Sequence, residues 1–194
     1  MKIATILAAA MLRLCSSVFA RLGDTEEQAQ ARYGLQKTYL PLGNVHALIP
    51  GAREMTFEYQ GWKIRCALLT ATDGKEYIVR EEYSKSTAKG IPQGGPYITD
   101  AERDAILQGE VGTRSWHQKL IGEKSADPIQ LLANQIAHTS GLTGKVWIRD
   151  DGAIARTMGA MPLAIVLDLP QSLKHEAEVK SAKGQELKAS IPQF

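Results

Sequence analysis

Apolar and polar positions alternate most clearly between residues 55 and 83. Met55, Phe57 and Tyr59 alternate with Thr56 and Glu58, and Trp62, Ile64, Cys66 and Leu68 alternate with Lys63 and Arg65. A period of two puts each set on one face of a strand. Gln60-Gly61 predicts a tight turn between these strands. The Asp73-Gly74 hairpin signal then leads from a second strand at 62–71 into a third at 76–83. A similar pattern returns late in the chain. It predicts a strand over Lys145–Arg149, a turn at Asp150-Asp151-Gly152, and strands at 153–158 and 163–169.

Helix punctuation precedes each meander. Residues 24–34 open with two overlapping capping boxes, Asp24-x-x-Glu27 and Thr25-x-x-Gln28, and close on Arg32 and Gly34. Thr99-x-x-Glu102 caps a second helix over 99–108, with Ala101, Ala105 and Ile106 as its apolar stripe and Ile98 as a staple. Asp127-Pro128 starts a third helix, ended near Gly141. Residues 113–121 fit a strand or a helical turn equally well. Residues 84–97 are polar and rich in Gly and Pro. The predicted architecture is α+β, with antiparallel β-meanders covered by short helices. Its order reads as an α-β-β-β unit used twice, although the residues of the two halves do not align by eye.

The first twenty residues differ from all of this. Lys2 precedes an apolar run from Ile3 to Leu12, and Val18-Phe19-Ala20 ends in a form that signal peptidase accepts. Ten residues are too few to span a bilayer, which takes about 20. Arg13 is unusual at the end of such a run. Cys15, preceded by Arg13-Leu14, does not make a lipobox. The segment reads as a signal peptide cleaved after Ala20, giving a periplasmic or secreted protein with no stable membrane span. The chain then divides into a leader (1–20), a helix plus meander (21–83), a linker or long loop (84–97), helices plus a second meander (98–169), and a polar tail (170–194). That tail reads as a frayed helix or a disordered end.

Composition narrows the chemistry. The 194-residue chain carries a formal net charge of +2, and both excess cations, Lys2 and Arg13, belong to the leader. A mature chain of balanced charge gives no basic face for nucleic acid. Cys66 is the only cysteine outside the leader and sits on an apolar strand face, which predicts a buried small hydrophobe. Histidines at 46, 117, 138 and 175 lack the i, i+4 spacing of a metal pair. Asp150-Asp151-Gly152 lacks the alternating acids of a calcium loop. No G-x-S-x-G elbow occurs, and Ser140 stands at a helix stop. Gly90–Gly95 has no Gly-Lys-Ser/Thr ending. No cofactor or metal is therefore expected. The adjacent acids Glu26-Glu27, Glu81-Glu82 and Asp150-Asp151 diverge in any regular element and read as solvated charges.

Aromatic and arginine residues of the binding hot-spot type gather at Arg114, Trp116, His117, Trp147 and Arg149. The alternative is that both tryptophans fill the core. These residues, together with export, suggest a non-catalytic binding or structural protein acting on another envelope protein. The competing reading is a small periplasmic hydrolase whose site is assembled from dispersed residues.

Leu22-Gly23-Asp24-Thr25 with Ala31-Arg32-Tyr33-Gly34, and Trp147-x-Arg149-x-Asp151-Gly152-Ala153-Ile154-Ala155, resemble a group of short bacterial secreted proteins of uncharacterised function. The order of elements also resembles small periplasmic helix-plus-meander modules, such as the SmpA/OmlA outer-membrane lipoproteins and the β-lactamase-inhibitor-like fold. The chain departs from them in lacking a lipobox and in having Leu35-Gln36 where a Gly-x-Pro step is usual. The resemblance implies the fold class and transfers no functional residues.

Overall fold

A computed structural model describes residues 21–37, 47–87, 95–111, 114–120, 145–158 and 161–189, with single positions between 122 and 134. The expected leader and most of the expected third helix lie outside these residues. Helix α1 (Glu26–Tyr33) begins where the sequence provides its cap. Thr25 Oγ1 accepts the Gln28 N–H while the Gln28 side chain accepts the Thr25 N–H, so two otherwise orphaned donors are satisfied. Gly34 stops the helix at φ 83°, a conformation that a Cβ atom opposes. Helix α2 (Asp100–Gly109) uses the same reciprocal box between Thr99 and Glu102. No helix among the described residues is long and apolar enough to cross a membrane.

The strands are β1 (Arg53–Tyr59), β2 (Trp62–Thr70), β3 (Glu76–Lys85), β4 (Trp116–Leu120), β5 (Lys145–Arg149), β6 (Ile154–Met158) and β7 (Ala164–Asp168). The segment whose periodicity left strand and helix open is thus β4. Ser84 and Lys85 belong to β3, so the strand takes the first two residues of the expected linker. Gln60 and Gly61 both have positive φ, 48° and 85°, as the tight hairpin turn between β1 and β2 requires.

The chain folds as α+β around one sheet. The strands run antiparallel in the order β1-β2-β3-β7-β6-β5-β4, with the third strands of the two meanders paired at the centre. Separate sheets of three and four strands would expose unpaired N–H and C=O groups along β3 and along β7, and the β3–β7 pairing removes both of these edges.

Both faces of the sheet are covered. Met55, Phe57, Ile64, Cys66, Leu68, Tyr83, Ile165 and Leu167 form the main core with Ala29 and Tyr33 of α1 and Ile106 and Leu107 of α2. Each such large side chain removed from water stabilises the fold by about 1.5–3 kcal/mol. On the opposite face, Ala67 and Val79 pack with Leu48 and Ile49, and Val146, Ile148 and Ile154 pack with Leu173. Leu173 belongs to α3 (Pro170–Ala189), so most of the polar tail is a helix. Its attachment is largely polar, with Ser172 Oγ donating to Asp168 Oδ1 at 2.9 Å and Glu176 holding Arg80. An apolar stripe, the usual sign of a docked helix, is therefore missing from its sequence.

One irregularity shapes the interior. Between β2 and β3 the register moves from Ala67↔Arg80 to Leu68↔Ile78, leaving Val79 as the extra residue of a β-bulge. Strict alternation from Ile78 would put Arg80 beneath the α1–α2 layer and Glu81 on the other side. The bulge reverses this. Arg80 joins the α3 face, and Glu81 enters the main core beside Cys66 and Tyr83.

Candidate functional site

The five residues singled out by sequence separate by strand alternation. Trp116 and Arg149 are direct partners across β4 and β5, and Trp147 is two residues from Arg149, so these three face the α2 side. His117 points to the other face. Its Nε2 lies 2.7 Å from Asp150 Oδ1, in a pair whose side chains are 60% and 51% exposed. The Ser115 backbone N–H donates to the same carboxylate at 2.7 Å. That backbone bond and the His117 contact hold the Asp150 carboxyl below its ordinary range. No hydroxyl or thiol among the described residues bonds to the His117 ring. Arg114 lies outside the strand, exposed, with Nη1 2.6 Å from Asp151 Oδ2.

Arg149 is buried and fully used. Its Nε and Nη2 grip Asp151 at 2.8 and 2.9 Å, Nη1 donates to the Glu110 carbonyl at 2.8 Å, and the guanidinium lies 5.3 Å from the Trp116 ring centroid. Burial works against ionisation of Asp151, but the Arg149 fork outweighs it and keeps that carboxyl low. Arg149 therefore positions the turn and the Trp116 indole. Trp147 is 5% exposed, with the Arg103 guanidinium 4.8 Å from its ring. It faces one core while Val146 and Ile148 face the other, so both sides of this strand are buried.

Trp116 is half-buried. Its Nε1–H donates to the Leu107 carbonyl at 2.9 Å, which fixes the indole against the end of α2. Between α2 and β4 lies a shallow cleft of about 400 Å³, lined by Leu107, Val111, Trp116 and Trp147 with Asp104, Gln108 and Ser115. Such a surface of indole and aliphatic groups with hydrogen-bonding side chains can hold a ligand or a segment of another chain. A second open cleft, of about 470 Å³, lies at the start of α1. There Arg53 is already engaged, with Nη2 2.7 Å from Glu26 and 2.6 Å from Glu76.

The sequence reading missed a fully buried acidic cluster. Glu81, read as a solvated charge beside Glu82, is completely buried, and so is Glu110, just past the end of α2. Glu82 instead pairs with Arg65 at 3.2 Å. The Tyr83 hydroxyl stands between the two buried carboxyls, 3.0 Å from Glu81 and 3.5 Å from Glu110. Tyr33 continues this chain through its hydroxyl, 3.3 Å from that of Tyr83. Burial pushes the Glu110 carboxyl up to about 7, against the Leu22 N–H and Arg149, which favour its charged form. Glu81 is raised well above the usual range by burial and then by the charge of Glu110. Burial likewise raises the Cys66 thiol, which faces Glu81 at 3.9 Å and is no nucleophile. A signal for Glu81 did exist. Ile78 and Tyr83 are five residues apart, an odd spacing, so both can face one side only if the strand carries a bulge.

Among the described residues no group of three or more His, Cys, Asp and Glu side chains is arranged to hold a metal ion. No family model, curated protein or solved structure gives a significant match to the chain.

Proposed function

We propose that the chain is an exported, non-catalytic binding or structural protein of the bacterial envelope, and that it holds a segment of another envelope protein in the cleft between α2 and β4. The observation that carries this reading is the composition of the cleft. Two tryptophans and two aliphatic side chains form its apolar part, Asp104, Gln108 and Ser115 supply hydrogen-bonding groups, and the Trp116 indole is fixed by its bond to the Leu107 carbonyl. Fixed aromatic groups lose little freedom when a partner arrives, which is why they dominate interface energetics. The leader at residues 1–20 places that partner beyond the inner membrane.

Photo-crosslinking in cells tests the reading, with the reactive residue placed at Gln108 or Ser115 and, as a control on α3, at Lys174. One envelope protein captured from the cleft positions, not from the control, and lost on Trp116→Ala, is the expected result. Equal capture from all positions, or none from the cleft, overturns it. The His117–Asp150 contact keeps hydrolysis as a second reading, because a carboxylate can orient an imidazole for base catalysis. Turnover of ester, phosphate, glycoside or peptide substrates by the purified mature protein, abolished by His117→Ala, would establish the hydrolase instead.

A further inference from the structure

We infer that removal of the leader creates a new charged anchoring site, in which the α-ammonium group of Arg21 seats on the carboxylate of Asp24. This rests on the export reading above, which puts cleavage after Ala20. Hydrolysis of the Ala20–Arg21 peptide bond consumes one water. It leaves a carboxylate on Ala20 and an amine on Arg21 that takes up a proton at neutral pH.

The place where that amine appears is already built. Arg21 N lies 3.2 Å from Asp24 Oδ2, and the Asp24 N–H returns to the Arg21 carbonyl at 2.9 Å. The next residues are held to the centre of the fold. Leu22 N–H donates to Glu110 Oε2 at 3.0 Å, Gly23 N–H donates to the Ile78 carbonyl at 2.8 Å, and Ile78 N–H donates to the Asp24 carbonyl at 2.8 Å. The first residues of the mature chain are thus bonded to β3 and to the end of α2, with Leu22 and Asp24 both buried.

The electrostatics favour a further positive charge there. Around Asp24 stand Arg32 of α1, Glu81 of β3 and Glu110 at the end of α2, with Arg149 of β5 beside Glu110. The three carboxyls act on one another electrostatically. Arg32 lies 3.0 Å from Asp24 and Arg149 3.8 Å from Glu110. The ammonium adds a cation beside Asp24. It keeps the hydrogen bond that the amide already makes and adds charge to it, which strengthens such a bond in a partly desolvated place. Maturation thus adds a cation beside Asp24 that the uncleaved precursor lacks.

Two measurements separate this inference from the reading beneath it. Intact-mass analysis of the protein recovered from the periplasmic fraction should give a chain that starts at Arg21. A different start, or a full-length chain, ends both the export reading in this form and the inference. Given the Arg21 start, ¹⁵N NMR of the mature protein should show an α-amino group titrating above the ordinary range of about 7.7–8.0. Acetylating Arg21, or retaining Ala20, should lower Tm by about 2–4 °C, with no such loss in an Asp24→Asn background. An ordinary α-amino titration in the unmutated protein, or an equal acetylation effect in both backgrounds, overturns the anchoring and leaves export standing. The titration needs no substitution and therefore decides even if Asp24→Asn does not fold.

Discussion

Arg80 and Glu81 are neighbours in sequence, yet they sit on opposite faces of the sheet in two different kinds of buried polar cluster. On the α3 face, Arg80 Nε donates to Asp168, and its Nη1 and Nη2 reach Glu176 at 3.1 and 2.7 Å. Arg156 lies 3.2 Å from the other Asp168 oxygen, an ion pair without hydrogen-bond alignment. Charges of both signs are matched there. Burial works against ionisation of Glu176, but the Arg80 fork outweighs it and keeps that carboxyl low. On the α1–α2 face, Glu81 meets the Tyr83 hydroxyl and the Cys66 thiol, Glu110 accepts from the Leu22 N–H with Arg149 3.8 Å away, and the same burial raises both. Burial alone therefore does not decide the charge of a carboxyl; a guanidinium bonded directly to it does.

Removing an anion from the matched cluster gives the largest expected effect. Asp168→Ala leaves Arg80 and Arg156 buried without their shared counter-charge, and urea unfolding should show a loss of about 3–5 kcal/mol. A loss below about 1 kcal/mol would mean that the cluster is open enough for water to replace the carboxylate.

The acid-rich cluster should show itself through pH. An ordinary glutamate titrates near 4.5, and Glu110 in the fold near 7. Between these values the folded state holds a proton that the unfolded state has released. Stability therefore falls as pH rises through this window, by on the order of 2–3 kcal/mol through Glu110. Asp150, Asp151 and Glu176, whose carboxyls are lowered, act with the opposite sign, and their loss is confined to more acidic solution. Urea midpoints from pH 5 to 8 should therefore decline in the parent. They should decline less in Glu110→Gln, and flatten when Glu81→Gln is added. A parent whose stability rises over this range would show that the pair is ionised.

The smallest effect belongs to an exposed contact outside both clusters. His117→Ala removes the imidazole from Asp150, but both side chains are mostly in water, and Tm should move by less than about 1 °C. A larger fall would place His117 in the supporting structure of the β4–β5 pair.

What could be read in the chain was local. Both capping boxes, the Gln60-Gly61 and Asp73-Gly74 turns and the buried face of Cys66 each depend on residues within one element or one turn. The candidate site was legible in part. The pairing of β4 with β5 does bring Trp116, Trp147 and Arg149 to one side, and alternation sends His117 to the other. The burial of Arg149 was not legible, because its arginine character suggests a surface contact. Asp151, two residues later, turns back through the hairpin to hold it.

By itself the sequence determined the class of the protein. Alternation, caps and turn residues specify helices and antiparallel strands through steric and hydrogen-bonding rules that act over a few residues. The tertiary structure alone decided that the two meanders share one sheet. It also decided, through the bulge at Val79, which of Arg80 and Glu81 enters the main core. Asp168 reaches Arg80 across 88 residues of chain, and Glu110 reaches Leu22 across another 88. Contacts at that range follow from which strand edges meet and which face each side chain takes, and a pattern read over neighbouring residues carries neither.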